Sequence, residues 1–193
     1  MSKTAPTFGT ESSLWEPKLP FDLVVAYEDT HTRNRALHLY DHLAQGLLDD
    51  YDFQCGWWKF EHLTNTTLNQ QAADAAAEAN MVVLSLQARE QLLPLHKAWI
   101  EEWLPRRDNR KSALVVLIGG TDNMERESAP LLAELQLAAR LGRMDFFTHA
   151  FDLTAPQRQA SVQQITDRAR ASNAPLPDFL QHRMPIPRWG INE

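Results

Sequence analysis

Residues 24–35 read VVAYEDTHTRNR: an apolar run ends at two adjacent carboxylates, Glu28 and Asp29, and passes into hydroxyls, a histidine and two arginines. Paired acids at a strand end, joined by a serine oxygen from a neighbouring strand, are hard oxygen ligands of the kind that hold Mg²⁺ with part of its water shell. The hydroxyls and backbone N–H groups of Thr30, Thr32 and Asn34, with Arg33 among them, could instead cradle a phosphate at a helix start. A metal site at Glu28 and Asp29 is therefore one expectation. The other is a site for a phosphate-bearing cofactor at Thr30, Thr32, Arg33, Asn34, Ser85, Gly119, Gly120 and Thr121.

These residues need a frame that brings them together. From residue 21 onward short apolar runs alternate with segments of helical period. The strands are expected at 21–27, 53–60, 81–86, 113–118 and 145–151, with helices at 32–48, 67–79, 94–104 and 130–141 between them and a further polar helix after residue 154. The central strands, MVVLSL and ALVVLI, are apolar almost throughout rather than alternating, which calls for a sheet covered on both faces. Right-handed crossovers then give a doubly wound three-layer α/β sandwich with a five-stranded parallel sheet in the flavodoxin-like order 2-1-3-4-5. In such a sheet ligands bind outside the carboxyl ends of the strands. That rule gathers Glu28 to Arg35, Glu61, Ser85, Gln87, Gly119, Gly120, Thr121, Asp122, His149 and Asp152 along one rim.

Composition narrows the function classes. The chain has 193 residues, 44% of them hydrophobic and 23% charged, enough for one ordinary core. A formal charge of -6 with scattered arginines provides no basic field for nucleic acid or an anionic membrane. A single cysteine, Cys55, and an N-terminus without an apolar stretch point to a cytoplasmic setting, with Cys55 as an inert buried thiol. The expected organisation is a flexible arm over 1–20, the α/β domain over 21–172 and a tail over 173–193. Pro175, Pro177, Pro185 and Pro187 keep that tail extended against the body. His38 and His42 share a helical face opposite the apolar stripe, where two wet histidines are expected. Trp57, Trp58, Trp99 and Trp103 are expected in an aromatic core.

Three resemblances attach to these motifs. The chain resembles the receiver domains of bacterial response regulators in its paired acids at 27–29, in VVLIGGTD at 115–122 and in AARLGRMDFFTHAFD at 138–152. It departs from them where their phosphoacceptor aspartate falls on Ser85 and their lysine on His149. That resemblance implies a degenerate, non-catalytic signalling or protein-interaction domain with a protein partner, a homodimer among the possibilities, and it is the functional expectation adopted at this point. THTRN at 30–34 is similar to the flavodoxin phosphate loop, with Arg33 in its glycine position and Arg35 in place of its last threonine; it implies FMN or nucleotide binding. FDLVVAYEDTHTRNRALHLYDHL at 21–43 also resembles the opening of TIR domains, which implies NAD cleavage supported by Glu101 or Glu102.

Overall fold

The computed structural model describes residues 18–108, 110–119, 127–150, 163–167 and 170. Its elements run β1 (Leu19–Tyr27), α1 (Thr30–Leu47), β2 (Tyr51–Lys59), a 3₁₀ segment (Phe60–Thr64), α2 (Thr66–Glu78), β3 (Met81–Gln87), α3 (Pro94–Trp103), β4 (Ala113–Gly119), α4 (Ala129–Leu141) and β5 (Asp145–Ala150). The five strands are all parallel in the order β2-β1-β3-β4-β5. This is the flavodoxin-like sandwich that the alternation of strand and helix patterns implies. The first strand begins at Leu19 rather than residue 21, because Leu19 and Pro20 pair with Tyr51 and Asp52 of β2 while remaining exposed. An apolar pattern cannot register residues that bury nothing. Most of the arm, the tail over 173–193 and most of the polar helix expected after residue 154 lie outside the described residues; a helical run at 163–167 belongs to that helix.

Two cores flank the sheet, as its near-continuously apolar central strands require. On one face, Val24, Ala26, Val82, Leu84 and Leu86 meet α2, α3 and α4 through Ala72, Ala76, Trp99, Trp103, Leu131 and Leu135. On the other, Phe21, Leu23, Val25, Val83, Val115 and Leu117 meet α1 through Ala36, Leu39, Leu43 and Leu47, with Ile165 beside them. The small side chains of α2 allow that helix to lie close to the sheet, and Asn65 caps it by accepting from the N–H groups of Thr67 and Leu68. Trp99 and Trp103 are fully buried core residues, as expected, whereas Trp57 and Trp58 are half-buried on opposite faces of the edge strand β2. Arg107 closes the far end of α2 by donating to the carbonyls of Ala76 and Ala79. Cys55 is half-buried, and burial pushes its thiol up to about 12, the inert state expected of it. His38 and His42 are both exposed, and the His42 ring contacts the carbonyl of His38 within the same helix.

Candidate functional site

The connection from β1 to α1 consists of Glu28 and Asp29 alone. So short a turn puts both carboxylates at the carboxyl rim, where the fold places its ligands, and it also makes α1 start at Thr30 instead of after a loop. Asp29 is the N-cap. Its Oδ1 accepts from the N–H of Thr32 at 2.8 Å, and the Thr32 hydroxyl accepts from the N–H of Asp29 at 2.8 Å and of Glu28 at 3.0 Å. This reciprocal capping box satisfies donors that a helix start otherwise leaves open. The N–H of Arg33 donates to the Asp29 carbonyl at 2.8 Å, and the Gln87 side-chain amide donates to Asp29 Oδ2 at 2.8 Å. Partial burial alone would raise the Asp29 pKa. The hydrogen bonds from Thr32 and Gln87 outweigh it and hold the carboxyl below its ordinary value.

Glu28 turns inward. Its Oε2 accepts from the Gln87 N–H at 2.7 Å and from Arg89 Nη2 at 2.8 Å. Its Oε1 lies 2.7 Å from Arg89 Nη2, near enough for charge attraction, and 3.2 Å from His96 Nε2, in neither case with the alignment of a hydrogen bond. Burial raises the Glu28 pKa, opposed by the Gln87 N–H and the Arg89 charge. His96 is 2% exposed, packs against Phe60 with ring centroids 4.2 Å apart and the rings tilted by 47°, and is pushed down to about 4 by burial and by Arg89. The imidazole is therefore neutral at pH 7. A proton on Nε2 directs it at Glu28 and leaves the buried Nδ1 without a partner, a tautomer assigned from this geometry.

The remaining expected residues divide. Ser85 is fully buried, and its hydroxyl donates to the Thr32 carbonyl at 2.7 Å, fastening the first turn of α1 to β3. Thr30, Arg33 and Asn34 are exposed on that turn, with the Arg33 guanidinium 5.9 Å from the centre of the Trp57 ring. Arg35 reaches under the helix and donates to the carbonyls of Leu86 at 2.8 Å and Leu117 at 3.4 Å. Gly119 allows this crossing, since a Cβ there would stand 1.6 Å from the Arg35 guanidinium. The space beside this expected cofactor-site glycine is taken by the protein's own arginine. Glu61 is ion-paired with Lys59 at the surface. Glu101 and Glu102 are exposed near the end of α3 away from the rim, and Glu102 is paired with Arg106. His149 lies in β5, opposite Leu117. Gly120, Thr121, Asp122 and Asp152 lie outside the described residues.

Arg89 and His96 carry the inner half of this corner and are the residues that sequence reasoning did not select. A signal for His96 exists: it stands three before Trp99 and four before Ile100, on the buried face of α3. Arg89 stands in a loop, where no periodicity marks it.

Neither expected ligand finds an open place at the start of α1. Among the described residues no group of three or more His, Cys, Asp or Glu side chains could hold a metal ion, and the oxygens of Glu28 and Asp29 face protein donors. For the phosphate of FMN the test is equally direct. The N–H groups of Asp29, Thr32 and Arg33 are bonded within the turn, and two carboxylates stand beside them. The residues present do not fit a phosphate there. Space exists farther along the rim, where Arg89, Glu90, Glu127 and Pro130 line a cavity of about 380 Å³ between the loop after β3 and the start of α4. A second space of about 380 Å³ lies away from the rim, between α2 and the edge of the sheet. It is lined by residues that include Asp22, Gln54, Gly56, Trp58 and Glu78.

No protein-family model and no curated protein sequence matches the chain. Solved structures do. The chain is similar to an oxidoreductase from Corynebacterium diphtheriae at 12% identity over 77% of this chain and 93% of that one, with a TM-score of 0.55. An NADH:FMN oxidoreductase in its apo form matches at 14% identity over 82% and 92%, with a TM-score of 0.55. Two-electron reduced flavodoxin from Megasphaera elsdenii matches at 14% identity over 77% and 98%, with a TM-score of 0.50. The fold is flavodoxin-like. This overturns the receiver-like signalling expectation: the matching structures are flavodoxin-like oxidoreductases, and the acids that suggested a receiver cap α1 and hold Arg89. The TIR resemblance gains no support, with Glu101 and Glu102 remote from the rim. No helix among the described residues is long and apolar enough to cross a membrane.

Proposed function

We propose that the protein binds a flavin- or nucleotide-class ligand by its ring end, at the carboxyl rim beside Arg89. The observation that carries this reading is the cavity between the β3 loop and α4, a position where doubly wound sheets take their ligands. Arg89 lines it while its Nη2 is held by Glu28, so the arginine is fixed in place before a ligand arrives. A planar guanidinium can donate to the carbonyl and nitrogen edge of a flavin or nucleobase, or lie against the ring. The flavodoxin-like fold, and the FMN named for one of its structural neighbours, support the class of ligand. A bound flavin would supply hydride or electron chemistry of its own. The part of this chain is to orient the ring through Arg89, with Glu28 holding that arginine and Gln87 and His96 placed against Glu28.

The test is a titration of the purified protein with riboflavin, FMN and NAD, followed by flavin fluorescence and by melting temperature. Binding to the folded state raises the melting temperature through mass action. At least one of these ligands is expected to bind, and Arg89→Lys, which keeps the ion pair but loses the planar fork, to weaken that binding about tenfold. No shift with any of the three ligands would overturn the reading.

A further inference from the structure

The start of α1 and the cavity beside Arg89 share one rim, and the two differ in what they can accept. A helix N-terminus is ordinarily a ready anion site, because its first N–H groups point outward and its dipole favours negative charge. Here that site is filled by the chain itself. Asp29 Oδ1 lies where a phosphate oxygen would take the Thr32 N–H, and Gln87 fixes the other carboxylate oxygen at 2.8 Å. Glu28 places a second carboxylate next to it. The arginines of the corner are engaged elsewhere: Arg33 over Trp57, Arg35 on the carbonyls of Leu86 and Leu117, and Arg89 on Glu28.

Resting on the reading above, we infer that Asp29 is a specificity-determining residue that rejects a phosphate at this rim, so that the ligand is an unphosphorylated flavin or nucleoside rather than its 5′-phosphate. The mechanism has two parts. Asp29 occupies the Thr32 N–H donor a phosphate would need, and its charge repels a dianion at short range in a half-buried setting. A two-residue turn also leaves no loop that could swing aside to make a cradle.

The experiment compares riboflavin with FMN by fluorescence titration in the wild type, Asp29→Asn and Asp29→Ser. Both variants retain a capping oxygen and remove the charge. In the wild type riboflavin is expected to bind at least about tenfold more tightly than FMN, a difference of about one logarithmic unit. In both variants that gap is expected to narrow to about threefold or less, because the repulsion is gone while the cap remains. The two variants differ in size, so agreement between them separates charge from packing; melting temperature confirms that each is folded. FMN binding as tightly as riboflavin or more tightly in the wild type would overturn the inference and leave the ring-binding reading intact. A riboflavin preference unchanged in both variants would overturn the role of Asp29. Binding of neither flavin would overturn the inference, with the NAD titration then deciding whether the broader reading survives.

Discussion

The corner where β1 meets α1 and the groove beside the edge of the sheet draw on the same strand and are opposites in their polar accounting. At the corner, the Asp29 and Thr32 side chains, and the N–H groups of residues 28, 29, 32 and 33, all have partners inside the protein. In the groove, Asp22 and Glu78 line open space, Gly56 contributes no side chain, and the Trp58 indole N–H is buried without a partner. The corner looked like chemistry because its polar residues are dense. That density comes from a demanding local problem, namely starting a helix two residues after a strand while burying a carboxylate. The groove has an unremarkable sequence and the open surface. Polar crowding at a strand end therefore marks capping as readily as binding, and only the partners of each atom tell them apart.

If the corner is a closed, interlocked unit, breaking it should cost far more than altering the groove. The largest effect is expected for Arg89→Ala, which leaves the Glu28 carboxylate buried without its counter-charge. Unfolding in urea should show a loss of about 3 kcal/mol at pH 7, smaller at acid pH where Glu28 can take up a proton. Next is the pH dependence. The folded-state pKa of His96, about 4, lies below its unfolded value. The unfolded chain therefore binds that proton first, and stability should fall as pH drops from about 6.5 toward 4, by up to about 1.4 kcal/mol per unit. Glu28, whose folded pKa is raised, contributes in the opposite sense in the carboxylate range, so the loss should be clearest above about pH 5. His96→Phe should flatten it, as followed by chemical unfolding at a series of pH values. Ser85→Ala removes the hydroxyl that fastens the Thr32 carbonyl, and a loss of about 1 kcal/mol is expected in the same assay. Smallest are Asp22→Asn and Glu78→Gln in the groove, expected to change stability by less than about 0.5 kcal/mol because neither carboxylate has an ion-pair partner among the described residues.

The architecture was legible in the sequence for a physical reason: MVVLSL and ALVVLI are strands buried on both faces, and such runs separated by amphipathic helices permit few topologies. The location of the rim followed from that topology. What each rim residue does there was not legible, because it depends on contacts across the chain. Ser85 reads as a ligand oxygen until it is seen bonded to Thr32, 53 residues away. Gly119 reads as a site of ligand approach until Arg35 is found across it. The pairing of Glu28 with Arg89 and His96 joins a strand end, a loop and a helix that no local spacing relates. Asp29 and Thr32 carry a local signal that the ligand readings passed over. Their three-residue spacing before an amphipathic helix is a local capping signal, and the structure uses it as one.

The central claim is that the start of α1 is filled by the protein's own carboxylate. It is tested most directly by following the backbone amide resonances of Glu28, Asp29, His31, Thr32 and Arg33 during a titration with inorganic phosphate. The account predicts that these amides stay unperturbed in the wild type and exchange slowly with solvent at Glu28, Asp29, Thr32 and Arg33. Saturable shifts centred on Asp29 and Thr32 would contradict it, since they would mean that a phosphate can displace the cap.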